Sequence, residues 1–262
     1  MDLKLKGRVA LIGGASKGLG KGCALQLAKE GVAIAICAND RPSLDTTRKE
    51  LADLGVSVLA LEADMSSQTD NERIVKETLN KFGRIDILVN NSGGPPPGSF
   101  FDLKNEEWEK AFNSLLMYVV RLCRLVIPVM KENKWGRIIN STSLTVKEPA
   151  ETLILSNVFR TGVISMAKSL SRELIKDNIT INNICPGAFK TDRAIELMTN
   201  AAKKQNITVE EFEKNAVKDL PLRRYQEPKE LGDLVTFLCS EQACGITGTT
   251  IQIDGGISKS LF

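Results

Sequence analysis

Short apolar runs alternate along this chain with longer stretches of helical periodicity. The runs are Val9–Ile12, Ala33–Cys37, Val58–Glu62, Ile85–Val89, Arg137–Asn140, Thr180–Ile184 and Thr250–Ile253, most of them rich in Val, Ile and Leu. That composition suits strands covered on both faces, as in a parallel sheet between layers of helices. Amphipathic helices are predicted at about Lys17–Lys29, Pro42–Leu54, Gln68–Phe82, Glu106–Asn133, Leu153–Asp177 and Lys229–Ser240. Strict alternation leaves right-handed crossovers and a doubly wound α/β sheet of about seven strands as the simplest architecture. Ligands then bind beyond the carboxyl ends of the strands, so the loops after the strands carry the functional reading. Thr191–Leu220 breaks the rhythm with two short polar helices in place of one crossover, which makes 191–220 a candidate substrate lid.

Composition narrows the partners. No Pro/Gly/Ser-rich linker, low-complexity run or repeat divides the 262 residues, so one domain over 1–262 is expected. Lysines and arginines (35) are scattered among 32 acids, leaving a net charge of +3 without a clustered basic face. Nucleic acid is therefore not an expected partner. The start, Met1-Asp2-Leu3-Lys4-Leu5-Lys6, lacks an apolar signal core, and no apolar run approaches the ~18 residues of a membrane span. A cytoplasmic protein with no membrane partner is expected. The six cysteines lie far apart without a C-x-x-C pair and read as reduced thiols packed as small hydrophobes. With no histidine either, no metal site is expected. The missing histidine, and tyrosines only at 118 and 225, also leave few side chains suited to donate a proton.

After the first run, Gly13-Gly14-Ala15-Ser16-Lys17-Gly18-Leu19-Gly20 turns into a helix. Glycines let the backbone approach a pyrophosphate, and free amides at the helix start favour its charge. The spacing of Gly14, Gly18 and Gly20 resembles the short-chain dehydrogenase/reductase family, and the resemblance runs nearly end to end. Asp64 follows the third strand, Asn90-Asn91-Ser92-Gly93 the fourth, and Pro186-Gly187 with Thr191 the sixth. The segments Pro221–Pro228 and Gly248–Gly256 are similar to the family's closing motifs. The resemblance implies a Rossmann-type fold and a bound NADP or NAD. It places Gly14, Ser16, Lys17, Gly18, Leu19, Gly20, Asn39, Asp64, Met65, Asn91, Ser92, Gly93, Arg160, Pro186, Gly187 and Thr191 at the cofactor. It also implies a homo-oligomer, a tetramer or dimer, packed through the two long helices.

The end of the second strand separates NAD from NADP, because an acid there meets the ribose 2′-hydroxyl and a base meets a 2′-phosphate. Here Ala38 and Asn39 offer no acid, and Lys17 and Arg41 could both face a phosphate, while Asp40 argues the other way. NADP is expected ahead of NAD.

The family's chemistry uses a serine that polarises a carbonyl, a tyrosine acid, a lysine one helical turn later, and an asparagine that carries a proton relay. Ser143, in Asn140-Ser141-Thr142-Ser143, matches the serine. Where the tyrosine and lysine belong the chain reads Ser156-Asn157-Val158-Phe159-Arg160, and Leu115 stands for the asparagine, with Asn113 nearby. Arg160 retains a charge that can hydrogen-bond ribose hydroxyls. Ser156 is a far weaker acid than a phenol of pKa about 10. Three arrangements remain open: an ordered water held by Ser143, Ser156 and Arg160; a proton from Lys147 or Glu148; or a conjugated acceptor protonated by solvent. The resemblance thus implies an NAD(P)-dependent oxidoreductase acting on a carbonyl/alcohol or 3-oxoacyl-like small molecule with a non-standard donor. The competing readings are a silent NAD(P)-binding sensor or structural protein, and an enzyme of another class that uses the cofactor as a fixed charge.

Overall fold

The computed structural model describes residues 2–261 of the expected 1–262 span, leaving Met1 and Phe262 outside it. Strands β1 (Val9–Gly13), β2 (Ala33–Ala38), β3 (Val58–Glu62), β4 (Ile87–Asn90), β5 (Gly136–Ser141), β6 (Ile179–Pro186) and β7 (Thr250–Ile253) form one parallel sheet in the order β3-β2-β1-β4-β5-β6-β7. The alternating apolar runs therefore fold as their pattern requires. The winding direction reverses between β1 and β4, so a crevice opens above their carboxyl ends, where the glycine loop and the Asn91 loop meet.

Helices cover both faces. On one, α1 (Gly18–Lys29) and α9 (Pro228–Leu238) bury Cys23, Leu27, Leu231 and Val235 against Ile12, Ile34 and Ile36. On the other, α3 (Gln68–Phe82), α5 (Tyr118–Glu132) and α6 (Ile154–Leu174) bury Ile74, Leu122, Val126, Val163 and Ala167 against Leu11, Leu88 and Ile138. The helix α2 (Arg41–Ala52) starts at an Asp40 cap, and α3 at a Ser67 cap. In the irregular segment, α7 (Asp192–Gln205) and α8 (Val209–Ala216) are each capped by a threonine, Thr191 and Thr208.

The helix predicted over Glu106–Asn133 is not uniform. It begins as α4 (Asn105–Ala111), widens into one π-helical stretch at Phe112–Met117, and continues as α5. The wider turn separates Leu115, which packs with Ala111 and Leu155, from Tyr118 and Val119, which join the sheet-side core. Contrary to the sequence reading, this span, Asn105–Glu132, is long and apolar enough by length and composition to cross a membrane. In the fold it is amphipathic: Leu122, Val126 and Met130 face the sheet, while Arg124 and Pro128 lie exposed. The six cysteines are unpaired, and all but Cys244 are buried.

Candidate active site

A cleft of about 650 Å³ lies above β1 and β4, lined by Gly14, Lys17, Gly18, Leu19, Asn91, Ser92, Gly93 and Thr191. A smaller hollow of about 250 Å³ continues from it, lined by Ser16, Ala38, Asn39, Asp64, Met65, Ser92 and Gly93. Most of the residues assigned to a cofactor thus line two adjoining spaces. Local chemistry explains the first. Asn91 Nδ2 donates to the carbonyls of both Gly13 and Gly14, 3.2 Å each, and pins the glycine loop beneath the cleft. A Cβ on Gly20 would stand 2.4 Å from the Gly14 carbonyl, so only glycine lets α1 begin this close to the loop. Unlike α2, α3, α7 and α8, α1 opens without a side-chain cap, and its first turn carries no acid. Its leading amides are left for an anion, which fits a pyrophosphate.

At the far end, Asp64 Oδ1 accepts from Ser66 N (2.8 Å) and Ser66 Oγ (2.7 Å), so one of its oxygens serves its own turn. Lys17 lines the cleft with its Nζ 2.8 Å from Asp40 Oδ2. The Lys17 ammonium, followed by Ser43, holds the Asp40 carboxyl down at about 2. Arg41 is drawn away to Asp45 (2.9 Å), so only Lys17 of the two candidate cations faces the cleft. Pro186 ends β6, Gly187 follows it, and neither lines a hollow. A Cβ on Gly187 would sit 2.5 Å from Asp254 Cα, so this glycine joins two of the recognised motifs in space.

The chemical end is assembled on β5 and α6. Ser143 Oγ accepts from Thr145 N at 3.2 Å and opens a single 3-10 turn, Leu144–Val146. That turn carries Thr145, whose Oγ1 lies 3.1 Å from Ser156 Oγ. Ser156 and Arg160 are both buried on the same face of α6, one turn apart. Arg160 Nη1 donates to the Ser141 carbonyl at 2.7 Å. Burial lowers its pKa from the ordinary guanidinium value, with Tyr118 opposing the shift. The structure therefore brings Ser143, Ser156 and Arg160 together around the end of β5.

Of the other candidates, Lys147 stays in the loop after β5, near Cys185, and three are held elsewhere. Glu148 accepts from Ser258 Oγ (2.8 Å) and from the Lys259 amide, so its carboxylate is bound to the C-terminal segment. Asn113 is spent within its helix, donating to the Glu109 carbonyl (3.0 Å) and accepting from Arg121 (2.9 Å). Leu115 is buried against Leu155 and offers no relay.

Three residues escaped the sequence reading. Thr145 is the hydroxyl that Ser156 meets, and its nearness to Ser143 was the available signal. Tyr118 is fully buried, with its phenol near Ser92 and Arg160. Burial raises its pKa above the ordinary phenol value, so it stands as a neutral phenol beneath the cleft. Its helical spacing from Leu115 gave no usable signal, because the π-helical turn before it sends the two residues into different cores. Arg193, in the first turn of α7, donates to the Gly94 carbonyl at 3.2 Å; an arginine near a helix start carries no signal of its own.

Comparison with known proteins agrees with this arrangement. A family model described as enoyl-(acyl carrier protein) reductase matches residues 14–258. The NADPH-dependent reductase BacG of Bacillus subtilis is 31% identical over 97% of this chain and 99% of its own. The 3-oxoacyl-[acyl-carrier-protein] reductase FabG of Staphylococcus epidermidis is 32% identical over 95% of this chain and 98% of its own. The crystal structure of L-sorbose reductase from Gluconobacter frateurii, complexed with NADPH and L-sorbose, superposes with a TM-score of 0.96 at 32% identity, covering 100% of both chains. With a family model matched over most of its length and relatives above 30% identical over nearly all of it, the chain belongs to the short-chain dehydrogenase/reductase family.

Proposed function

We propose that this protein uses NADPH to reduce a small-molecule carbonyl compound in which the charge left by hydride addition is delocalised, such as an enone or enoyl derivative. The observation that carries this reading is the make-up of the site: Ser156 Oγ meets the Thr145 hydroxyl at 3.1 Å, the Tyr118 phenol is buried, and the Glu148 carboxylate is bound to the C-terminal segment. Bound NADPH supplies the hydride. The hydroxyls of Ser143 and Ser156 then hold the acceptor oxygen as it gains charge, and the buried Arg160 guanidinium adds a fixed positive field. A saturated ketone would yield an alkoxide, whose basicity calls for a proton from a strong acid at the moment of transfer. An enolate is far less basic and takes its proton at carbon from water, so one hydride from NADPH and one proton from water complete the reduction without a protein acid. Support for NADPH comes from Lys17 in the cleft, from the missing acid at Ala38, and from relatives described as NADPH-dependent. Support for a conjugated acceptor also comes from the description of the family model.

The test is consumption of NADPH by the purified protein against matched enones and saturated ketones, alongside fluorescence titration of cofactor binding. Turnover of the enones, with the ketones at least about a hundredfold slower, is expected from the loss of a general acid. Tight NADPH binding with no acceptor reduced would favour a silent sensor instead.

A further inference from the structure

The short turn that carries Ser143 and Thr145 is tied at both ends to parts of the chain that come later. At its start, Thr142 N and Thr142 Oγ1 both donate to the Ile184 carbonyl on β6, at 2.8 Å each. The turn closes where Lys147 N (2.9 Å) and Glu148 N (3.0 Å) donate to the Leu144 carbonyl. The Glu148 carboxylate then accepts from the Ser258 hydroxyl (2.8 Å) and the Lys259 amide, 110 and 111 positions further on. Ser258 is fully engaged in its turn. Its Oγ donates to Glu148 and accepts from Gln252 Nε2 on β7 (3.0 Å) and from the Ser260 amide (3.1 Å), which uses the one donor and both lone pairs of a hydroxyl. The Ser258 amide donates to Asp254 Oδ2 at 2.8 Å, and the residue before Asp254, Ile253, accepts from Gly187 N at 3.0 Å. The C-terminal segment, rooted on β7, therefore grips the loop after β5 through one carboxylate. The Ser258 hydroxyl holds the Glu148 carboxyl below its ordinary value, so the acceptor is charged and its bonds are the stronger kind.

We propose that Glu148 and Ser258 are positioning residues for the reduction: through this pair the C-terminal segment holds the Leu144–Val146 turn in the setting that presents Ser143, and the Thr145 hydroxyl paired with Ser156, to the acceptor. A 3-10 turn of three residues has little hold of its own, because its hydrogen bonds are poorly aligned. Thr145 Oγ1 stands 3.1 Å from Ser156 Oγ, so a shift of the turn breaks that pair and re-aims the hydroxyls on both sides of it. Misplacement of a reacting group by about 1 Å can cost ~10²-fold in rate. This inference rests on the reductase reading above for what the hydroxyls do, and one arm of its test needs no turnover.

Glu148→Ala, Ser258→Ala and the double variant are compared with the conservative changes Glu148→Gln, which keeps an acceptor, and Ser258→Thr, which keeps the hydroxyl. In the first arm, hydrogen exchange is followed by mass spectrometry over residues 144–148, with β1 as a measure of global stability. Exchange about tenfold faster over 144–148 in both alanine variants, with β1 unchanged, is the expected loss of a charge-assisted hydrogen bond; the conservative variants should stay within about threefold of the unaltered protein. In the second arm, kcat with an enone should fall about tenfold in each alanine variant while the NADPH dissociation constant holds, and the conservative variants should recover most of it. The double variant should fall no further than the singles, because the two side chains form one contact. Unchanged exchange over 144–148 in Ser258→Ala overturns the tether. Faster exchange with unchanged kcat, or losses that multiply in the double variant, overturns the positioning role. If no form of the protein reduces any acceptor, the reductase reading fails, and the exchange arm still decides whether Ser258 holds the turn.

Discussion

At the residue scale, the proposal turns on a change of acid strength at the position that the resemblance assigns to the family's tyrosine. Ser156 stands there, buried on α6 with its hydroxyl paired with Thr145. If Ser156 holds the acceptor oxygen, Ser156→Ala removes one donor from an oxyanion site and should lower kcat about a hundredfold, within the range seen when one such donor is lost. Steady-state rates with a conjugated acceptor check this; an unchanged kcat would remove Ser156 from the chemistry and leave Ser143 as the sole hydroxyl at the oxygen. The sequence reading sets Ser156 and Arg160 at the family's tyrosine and lysine positions from the motifs on either side. What the two side chains bind was not legible there. The pairing of Ser156 with Thr145 and of Arg160 with the Ser141 carbonyl depends on a 3-10 turn that leaves no periodic signature. Glu148 shows the converse: a charge in a suitable loop reads as a candidate donor until the C-terminal segment is seen to bind it.

At the element scale, the strands were readable because their burial on both faces demands apolar runs, and their order follows from the β/α alternation. The polar residues inside those strands carry a second layer of information. Asn90, Asn140 and Asn183 stand side by side in register across β4, β5 and β6. Asn90 Nδ2 donates to Asn140 Oδ1 at 2.8 Å, Asn140 Nδ2 to Asn183 Oδ1 at 2.9 Å, and Asn183 Nδ2 to Thr250 Oγ1 at 3.2 Å on β7. This buried ladder lies at the carboxyl ends of the strands, directly under the loops that carry Asn91 and Ser143, and fixes where those loops begin. Asn140→Leu would strand a donor on Asn90 and an acceptor on Asn183, each costing about 1–3 kcal/mol. A loss near 3 kcal/mol in chemical denaturation is expected; a loss under about 1 kcal/mol would mean that the ladder is dispensable. The π-helical turn at Phe112–Met117 was not readable, since a single inserted residue leaves the apolar stripe intact over most of the helix. It nonetheless decides that Leu115 and Tyr118 enter different cores.

At the scale of the whole molecule, the two long helices leave apolar surface uncovered. Phe112 and Val158 are 40% and 45% exposed, and Phe112 packs with Phe159 on the outer side of α6. A homo-oligomer that joins these faces is the expected state, and light scattering should report a dimer or tetramer; Val158→Asp should shift that population toward monomer, and a monomer in the unaltered protein would contradict it. The site spans elements far apart in sequence, from Lys17 to Arg193, which is why its family could be read from ordered motifs while its cavities and ion pairs could not. The central claim is that hydride adds to a conjugated carbon and leaves an enolate in place of an alkoxide, and the most direct test is where cofactor and solvent hydrogen end up. An enone is reduced with NADPH in D2O and the product is analysed by NMR. Deuterium at the carbon next to the carbonyl, with hydrogen from the cofactor at the carbon beyond it, is the expected pattern. Reduction of the carbonyl itself, giving an allylic alcohol with cofactor hydrogen on the carbinol carbon, would contradict it.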